Sequence, residues 1–196
     1  MPTGNTYVKV TTEPRDWTGT YLVVYENGNQ AYVLDASRST IDASGNYVVA
    51  DIVQSEIAAS TDVNDASLVV TGVVDGYTLR TSSGLYLTTE DGKKISAGQD
   101  PYSFLLSLDS DGAVIRPVKR SSVNLMYNSS WKGFRFYSSG QQPIQLYRRT
   151  EADHIDVIQN SKFKIANDNV YDLAGRRVTN PQKGQMYIVD GKVVVK

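Results

Sequence analysis

The residue types best suited to chemistry crowd into one short span, Tyr127 to Tyr137, which reads YNSSWKGFRFY. A sugar ring stacks its C–H face on an aromatic plane while amides and guanidinium groups bond its hydroxyls, so Trp131, Asn128, Arg135 and Tyr137 together suit carbohydrate recognition. Trp131 stands in the turn Ser-Ser-Trp-Lys-Gly, and a large aromatic at an exposed loop tip has no packing reason to be there. Tyr86 occupies the corresponding place in the preceding stretch of chain and joins the candidate ligand-binding set. Residues two apart on a strand share a face, so Phe134 and Phe136 are expected inward and Arg135 and Tyr137 toward water.

Other chemistry finds less material. His154 is the single histidine, and a Ser-His-Asp triad would have to use it. It sits between Asp153 and Asp156 in a polar stretch and reads as a solvated linker residue, not as a metal ligand. Glu56, Asp62, Asp65, Glu90 and Asp91 are candidates for a glycosidase carboxylate pair, yet turn chemistry explains acids in such segments. Asp109-Ser110-Asp111-Gly112 opens like a calcium loop and lacks the later ligands and closing Glu of an EF-hand. There is no Gly-rich phosphate loop and no Gly-x-Ser-x-Gly elbow. The expectation is a protein without catalytic residues, metal or cofactor.

The elements that would position these residues are strands. Thirteen tyrosines and clusters of Gly, Asn, Asp and Ser at short intervals make a β composition over 196 residues. Thr20 to Glu26 (TYLVVYE) is the first strong strand, and Asn27-Gly28 predicts a type I′ hairpin to Ala31–Ala36. Tyr7 to Thr12, Asn46 to Gln54 and Ser67 to Val74 follow as strands, and Gln54 to Ala59 is the best, though weak, helical window. The span from Tyr77 to Asp109 and the span from Ala113 to Arg148 then repeat one order: strand, Ser-Ser turn, strand, Gly turn, strand, polar loop, strand. Thr20 to Val74 is a longer third copy, and such loop insertions are cheap, about 0.6 kcal/mol of closure entropy per doubling.

The net charge is -1 and the basic residues are scattered, which sets nucleic acid aside as a partner. No stretch approaches the roughly 18 apolar residues of a membrane helix. With no cysteine, disulfides and thiolate metal sites are excluded and the redox compartment is undetermined.

Twelve short strands in three units resemble the β-trefoil, in which three four-stranded units make a six-stranded barrel capped by three hairpins. The resemblance covers Thr20 to Arg149 and rests on strand order and on the phrases SGLYLTTEDGKKIS and NLMYNSSWKGFRFY. Gln145-Leu146-Tyr147 is similar to the Gln-any-aromatic signature of ricin-type lectin repeats, while Ser67-Leu68-Val69 and Ser103-Phe104-Leu105 stand at the matching places. An irregular β-sandwich or larger barrel suits the spacing too.

After a connector, residues 150–161, the segment 162–196 has a grammar of its own. Its phrases VYDLAGRRV, MYIVDG and KVVVK resemble the C-terminal sorting regions of secreted Bacteroidetes proteins, which implies export and surface attachment or release. The sequence is then expected to be a mature chain or a fragment, with Met1 in place of a removed signal peptide. The organisation expected is a lead-in at 1–19, a β-trefoil-like domain at 20–149, the connector, and a β tail. The function expected is a secreted or cell-surface binding module, monomeric, recognising a glycan, with a structural or protein-interaction domain as the alternative.

Overall fold

TYLVVYE is apolar at nearly every position, the pattern of a strand buried on both faces. Both faces are indeed used. A computed structural model describes residues 6–150, 170–173, 176, 178, 182–189 and 192–195. The connector beyond Thr150, with Asp153, His154 and Asp156, and the beginning of the tail lie outside the described residues.

Strand β1 (Thr6–Lys9) precedes the first unit, which comprises β2 (Gly19–Asn27), β3 (Gln30–Leu34), β4 (Tyr47–Val53), the inserted β5 (Glu56–Ala58) and helix α1 (Thr61–Asp65), and β6 (Leu68–Val73). The second unit is β7 (Gly76–Thr81), β8 (Tyr86–Thr88), β9 (Ser96–Gly98) and β10 (Ser103–Leu108). The third is β11 (Ala113–Pro117), a 3-10 turn (Val118–Arg120), β12 (Asn124–Asn128), β13 (Gly133–Tyr137) and β14 (Gln145–Thr150). The first and last strands of the units pair in a ring, β2–β6–β7–β10–β11 and β14 back to β2. The Ala113–Ile144 bridge closes it, with the Ala113 N–H donating to the Ile144 carbonyl at 2.8 Å. The inner strands make three hairpins, β3–β4, β8–β9 and β12–β13. This is the β-trefoil arrangement, and ring closure rules out the open sandwich.

The units begin alike at the backbone. Gly19, Gly76 and Gly112 open them at φ of +151°, +139° and +154°, a region that L side chains rarely adopt. At Gly76 a Cβ would meet the Phe104 carbonyl oxygen, and at Gly112 that of Ile144, so neighbouring barrel strands can approach only glycine.

The first unit differs by its insertion. β4 pairs with β5, β5 with β1 and β1 with β14, so that β2, β3, β4, β5, β1 and β14 form a second closed ring sharing β2 and β14 with the barrel. Alternation then feeds two cores. Tyr21 and Val23 face the barrel core with Leu34, Leu68, Phe104, Ile115, Phe136 and Leu146, while Leu22 and Val24 face a second core with Tyr7, Val33, Ile57, Val63 and Tyr147. Each fully buried aliphatic contributes about 1.5–3 kcal/mol, so a polar residue on either face of β2 is costly. The N-terminal strand, expected as a lead-in, is thus an interior strand of the second ring.

Two local expectations are corrected. The helical window at Gln54–Ala59 is a turn and a strand: Gln54 and Ser55 take φ of +52° and +64°, and Glu56 pairs back onto Val53. The helix lies just downstream, where the Ser60 hydroxyl oxygen accepts the Val63 N–H at 3.2 Å and Val63 is buried in the second core. The first hairpin turn is Gly28-Asn29, with Asn27 still paired to Gln30. Gly28 takes φ +63° and Asn29 does not have positive φ, the pattern of a type II′ turn with glycine first and not of type I′.

Contacts divide the chain into Met1–His154 and Ile155–Lys196. In the second unit β15 (Val170–Tyr171), β16 (Met186–Val189) and β17 (Lys192–Val195) form an antiparallel sheet in the order β15–β16–β17. Val170 and Tyr187 are its buried side chains among the described residues, and Asp172 accepts from the Arg176 N–H and Nε at 2.8 and 2.9 Å.

Candidate functional site

Alternation on β2 does not stop at the barrel rim. After Tyr21 and Val23, the next residue on that face is Tyr25, half-buried at the end of the strand. Tyr32 lies directly opposite on β3, Tyr47 opens β4 opposite Leu34, and Tyr127 follows Leu125 on the inner face of β12. The four rings meet. Tyr25 and Tyr127 stack with centroids 4.2 Å apart at 6°, and Tyr32 and Tyr47 stack at 4.7 Å and 13°. Tilted and edge contacts of 5.7 to 6.1 Å join the two pairs, within the range in which aromatic pairs attract beyond their area burial.

These tyrosines line a cleft of about 270 Å3 whose rim carries the exposed Asn27, Ser129 and Lys132. The Asn27 amide donates to the Tyr32 hydroxyl at 3.3 Å. Burial, then the hydroxyls of Tyr47, Tyr32 and Tyr25, push the Tyr127 phenol well above its ordinary value, so it stays protonated far into the alkaline range. Lys132 reaches the rim from a left-handed backbone, φ +59°, which its carbonyl helps hold by accepting the Gly45 N–H at 2.6 Å. Aromatic walls with a rim of amide, hydroxyl and ammonium can hold a polyhydroxylated ring.

The β12–β13 hairpin gathers four of the five residues expected to bind ligand. Asn128 Oδ1 accepts the Ser130 and Trp131 N–H groups at 3.0 and 2.8 Å, and its amide nitrogen donates to the Tyr137 hydroxyl at 3.0 Å. Asn128 therefore shapes the turn. Trp131 was expected at an exposed tip and is instead half-buried. Its ring lies so close to Gly133 that a Cβ there would approach it to 2.6 Å, and the Arg135 guanidinium carbon sits 3.9 Å from a ring centroid. Arg135, expected in water, makes a two-point ion pair, Nε and Nη2 donating to Asp42 Oδ1 and Oδ2 at 2.8 Å each. Phe134 and Phe136 are fully buried, as their alternation requires. Tyr86 lies apart, on β8, with the Arg80 guanidinium 5.8 Å from its ring centroid.

Asp42 explains why the hairpins hold together. It belongs to the first unit, pairs with Arg135 of the third, and accepts the Ile95 N–H of the second at 3.3 Å. Asn46 adds a buried clasp, donating to the Ile41 and Phe134 carbonyls at 2.8 and 3.0 Å and accepting the Phe134 N–H at 2.8 Å. These contacts place the Trp131–Lys132 turn beside β4, and so set Lys132 and Ser129 against Tyr47.

No protein-family model matches the chain, and no curated protein does. Among solved structures it is similar to a Macrolepiota procera ricin B-like lectin in complex with lactose, at 20% identity and a TM-score of 0.41, over 70% of this chain and 92% of that one.

Sequence reasoning missed Tyr25, Tyr32, Tyr47, Asn27, Ser129 and Lys132. One signal was available: a two-residue turn at Gly28-Asn29 makes Tyr25 and Tyr32 a directly opposed pair on one face. Their meeting with Tyr127 has no local signature.

Two of the acidic candidates, Asp91 and Asp109, are occupied by their own turns. Asp91 Oδ1 accepts the Lys93 and Lys94 N–H groups at 2.8 Å each, which holds its carboxyl below the ordinary value, and Asp109 Oδ1 accepts those of Asp111 and Gly112 at 2.9 Å each. Among the described residues no three His, Cys, Asp or Glu side chains cluster as metal ligands would.

Proposed function

We propose that the trefoil is a non-catalytic carbohydrate-binding module of a secreted or cell-surface protein. The observation that carries this reading is the four-tyrosine cleft with its Asn27, Ser129 and Lys132 rim, which offers a ring-sized ligand both apolar walls and directional bonds. The carboxylates of Asp91 and Asp109 accept N–H groups of their own loops, which fits a structural role for these two acids. Trp131, Asn128, Arg135 and Tyr137 support the cleft by fixing the turn that bears Ser129 and Lys132, and Tyr86 offers a separate aromatic surface. The test is a glycan array read with the wild type, Tyr47→Leu and Trp131→Ala, each checked for an intact thermal transition. Retention of one glycan class by the wild type and its loss in Tyr47→Leu is the expected result. A wild type that retains no glycan sinks the reading.

The segment resembling sorting regions supports placement outside the cell. Deleting residues 169–196 should leave unfolding of the trefoil unchanged while abolishing surface display; display of the truncated chain at wild-type level would remove this part of the proposal.

A protein-interaction role is the second reading, favoured by exposed Val73, Val74 and Leu105 at the β6–β7 turn, where Gly76 brings Leu105 alongside. Loss of a surface-extract partner by Val74→Asp, with glycan binding unchanged, would establish it.

A further inference from the structure

The trefoil repeats the place of the tyrosine cleft. That cleft lies between the third unit's hairpin turn, through Ser129 and Lys132, and the first unit at the end of β2, through Asn27. One unit earlier, the second unit's hairpin loop meets the connection that follows the third unit's first strand, and there is again a cleft, of about 370 Å3. Its lining is of another kind: Asp91 and Gly92 on one side, Lys119, Arg120, Ser121 and Ser122 on the other.

Arg120 is held in place without being neutralised, and Lys119 stands beside it. The Arg120 Nη2 donates to the Glu90 carbonyl, and its side chain lies on Gly92, where φ is +75° and a Cβ would come within 2.8 Å of Arg120 Cδ. The buried Thr89 hydroxyl oxygen accepts the Gly92 N–H at 3.0 Å and fixes that surface. The Lys119 ammonium stands 5.9 Å from the Tyr102 ring centroid. Neither Lys119 nor Arg120 is in an ion pair among the described residues. Asp91, the acid in the lining, is turned to two backbone N–H groups of its own loop. Lys93 and Lys94 follow it, so four bases stand against Glu90 and Asp91 in these two loops of a chain whose net charge is -1. Ser121 and Ser122 are exposed and add hydroxyl donors at the mouth.

We infer that this second cleft binds the anionic substituent, carboxylate or sulfate, of an acidic polysaccharide, with Lys119 and Arg120 as its charge-assisted donors. The inference rests on the reading of the trefoil as a glycan-binding module and names the subclass of glycan. A pre-placed guanidinium loses little freedom on binding an anion, and its fixed fork suits the planar carboxylate and the sulfate alike, with the Lys119 ammonium adding charge.

The experiment measures binding of three probes by the full chain at low salt and at 0.15 M salt: neutral dextran, dextran sulfate, and a hyaluronan oligosaccharide whose charge is carboxylate alone. Proteins are the wild type, Lys119→Gln/Arg120→Gln and Tyr47→Leu. Lys119 and Arg120 are exposed, so their replacement leaves the core untouched, and an unchanged thermal transition confirms it. At least one acidic probe should bind about tenfold or more tightly than dextran, weaken with salt, and lose most of that advantage in the double variant; which probe does so separates carboxylate from sulfate. Dextran binding that depends on Tyr47, with no preference for acidic chains or no effect of the double variant, overturns this inference and leaves the module reading intact. Binding of none of the three overturns this inference, and the glycan array then decides the module reading on its own. Equal affinity for a single-stranded DNA oligonucleotide of matched charge overturns the assignment to polysaccharide.

Discussion

Replacing Asp42 by alanine cuts one side chain that touches all three units. The lost bonds are two from Arg135 at 2.8 Å and one from the Ile95 N–H at 3.3 Å. The pair is partly shielded, with side-chain exposures of 21% and 29%, and its two-point geometry places it above ordinary surface ion pairs, at about 1 kcal/mol or a little more. The Ile95 N–H, left short of a partner, adds about 1 kcal/mol. A total of about 2 kcal/mol corresponds to a fall in Tm of about 5–10 °C for a domain of this size. Denaturant unfolding should show a lower midpoint at unchanged slope. Trp131 loses the anchor of its covering guanidinium while Trp17 stays buried, so native-state fluorescence should shift as well. A double-mutant cycle with Arg135→Ala isolates the pair, with a coupling expected near 1 kcal/mol. Loss of less than about 0.5 kcal/mol for Asp42→Ala, or additive single effects, would refute the assignment of Asp42 as the link between hairpins.

Two further outcomes follow from particular residues. Lys132→Gly relieves a left-handed backbone that costs a side-chain-bearing residue about 1–2 kcal/mol, partly offset by the greater freedom of unfolded glycine; the net should be a gain of about 0.5–1 kcal/mol, with weaker glycan binding, read by thermal unfolding and titration. Tyr127 and Tyr147 both have phenols raised above the ordinary value, each by burial first and Tyr147 then by Glu26, whose carboxylate accepts its hydroxyl at 2.6 Å. Above the unfolded value near 10, unfolded chains release these protons while the folded protein keeps them. Their contribution is therefore whole below pH 10 and declines as pH rises toward the folded values, by up to about 1.4 kcal/mol per pH unit for each tyrosine. Tyr147→Phe should make that alkaline decline shallower; an unchanged slope would show that Tyr147 titrates alike in both states.

Much of the architecture was legible because it is local. Alternation placed the strands, Gly and Asp turns spaced them, and the repeat from Tyr77 to Arg148 marked β7 and β11 as unit starts within a residue. The hairpin residues Asn128, Trp131, Arg135 and Tyr137 do come together, since they share one turn and its two strands. Their surroundings were not legible. Arg135 looks like a water-facing residue on β13 until Asp42, 93 positions away, is set beside it. Tyr25 reads as the last alternation of a barrel strand until Tyr127 stacks on it.

What the sequence by itself determined is the strands of the barrel and its hairpins, their faces and their threefold order, because side-chain period and turn chemistry act over a few residues; the inserted β5 escaped it. Tertiary structure alone decided that β2 and β14 serve two rings, that β1 belongs to the second, and that four tyrosines from two units form one cleft. The reason is closure. An alternating strand states which residues share a face and says nothing about which distant strand will pair with it, and only the closed rings, by satisfying every interior strand edge, choose those partners.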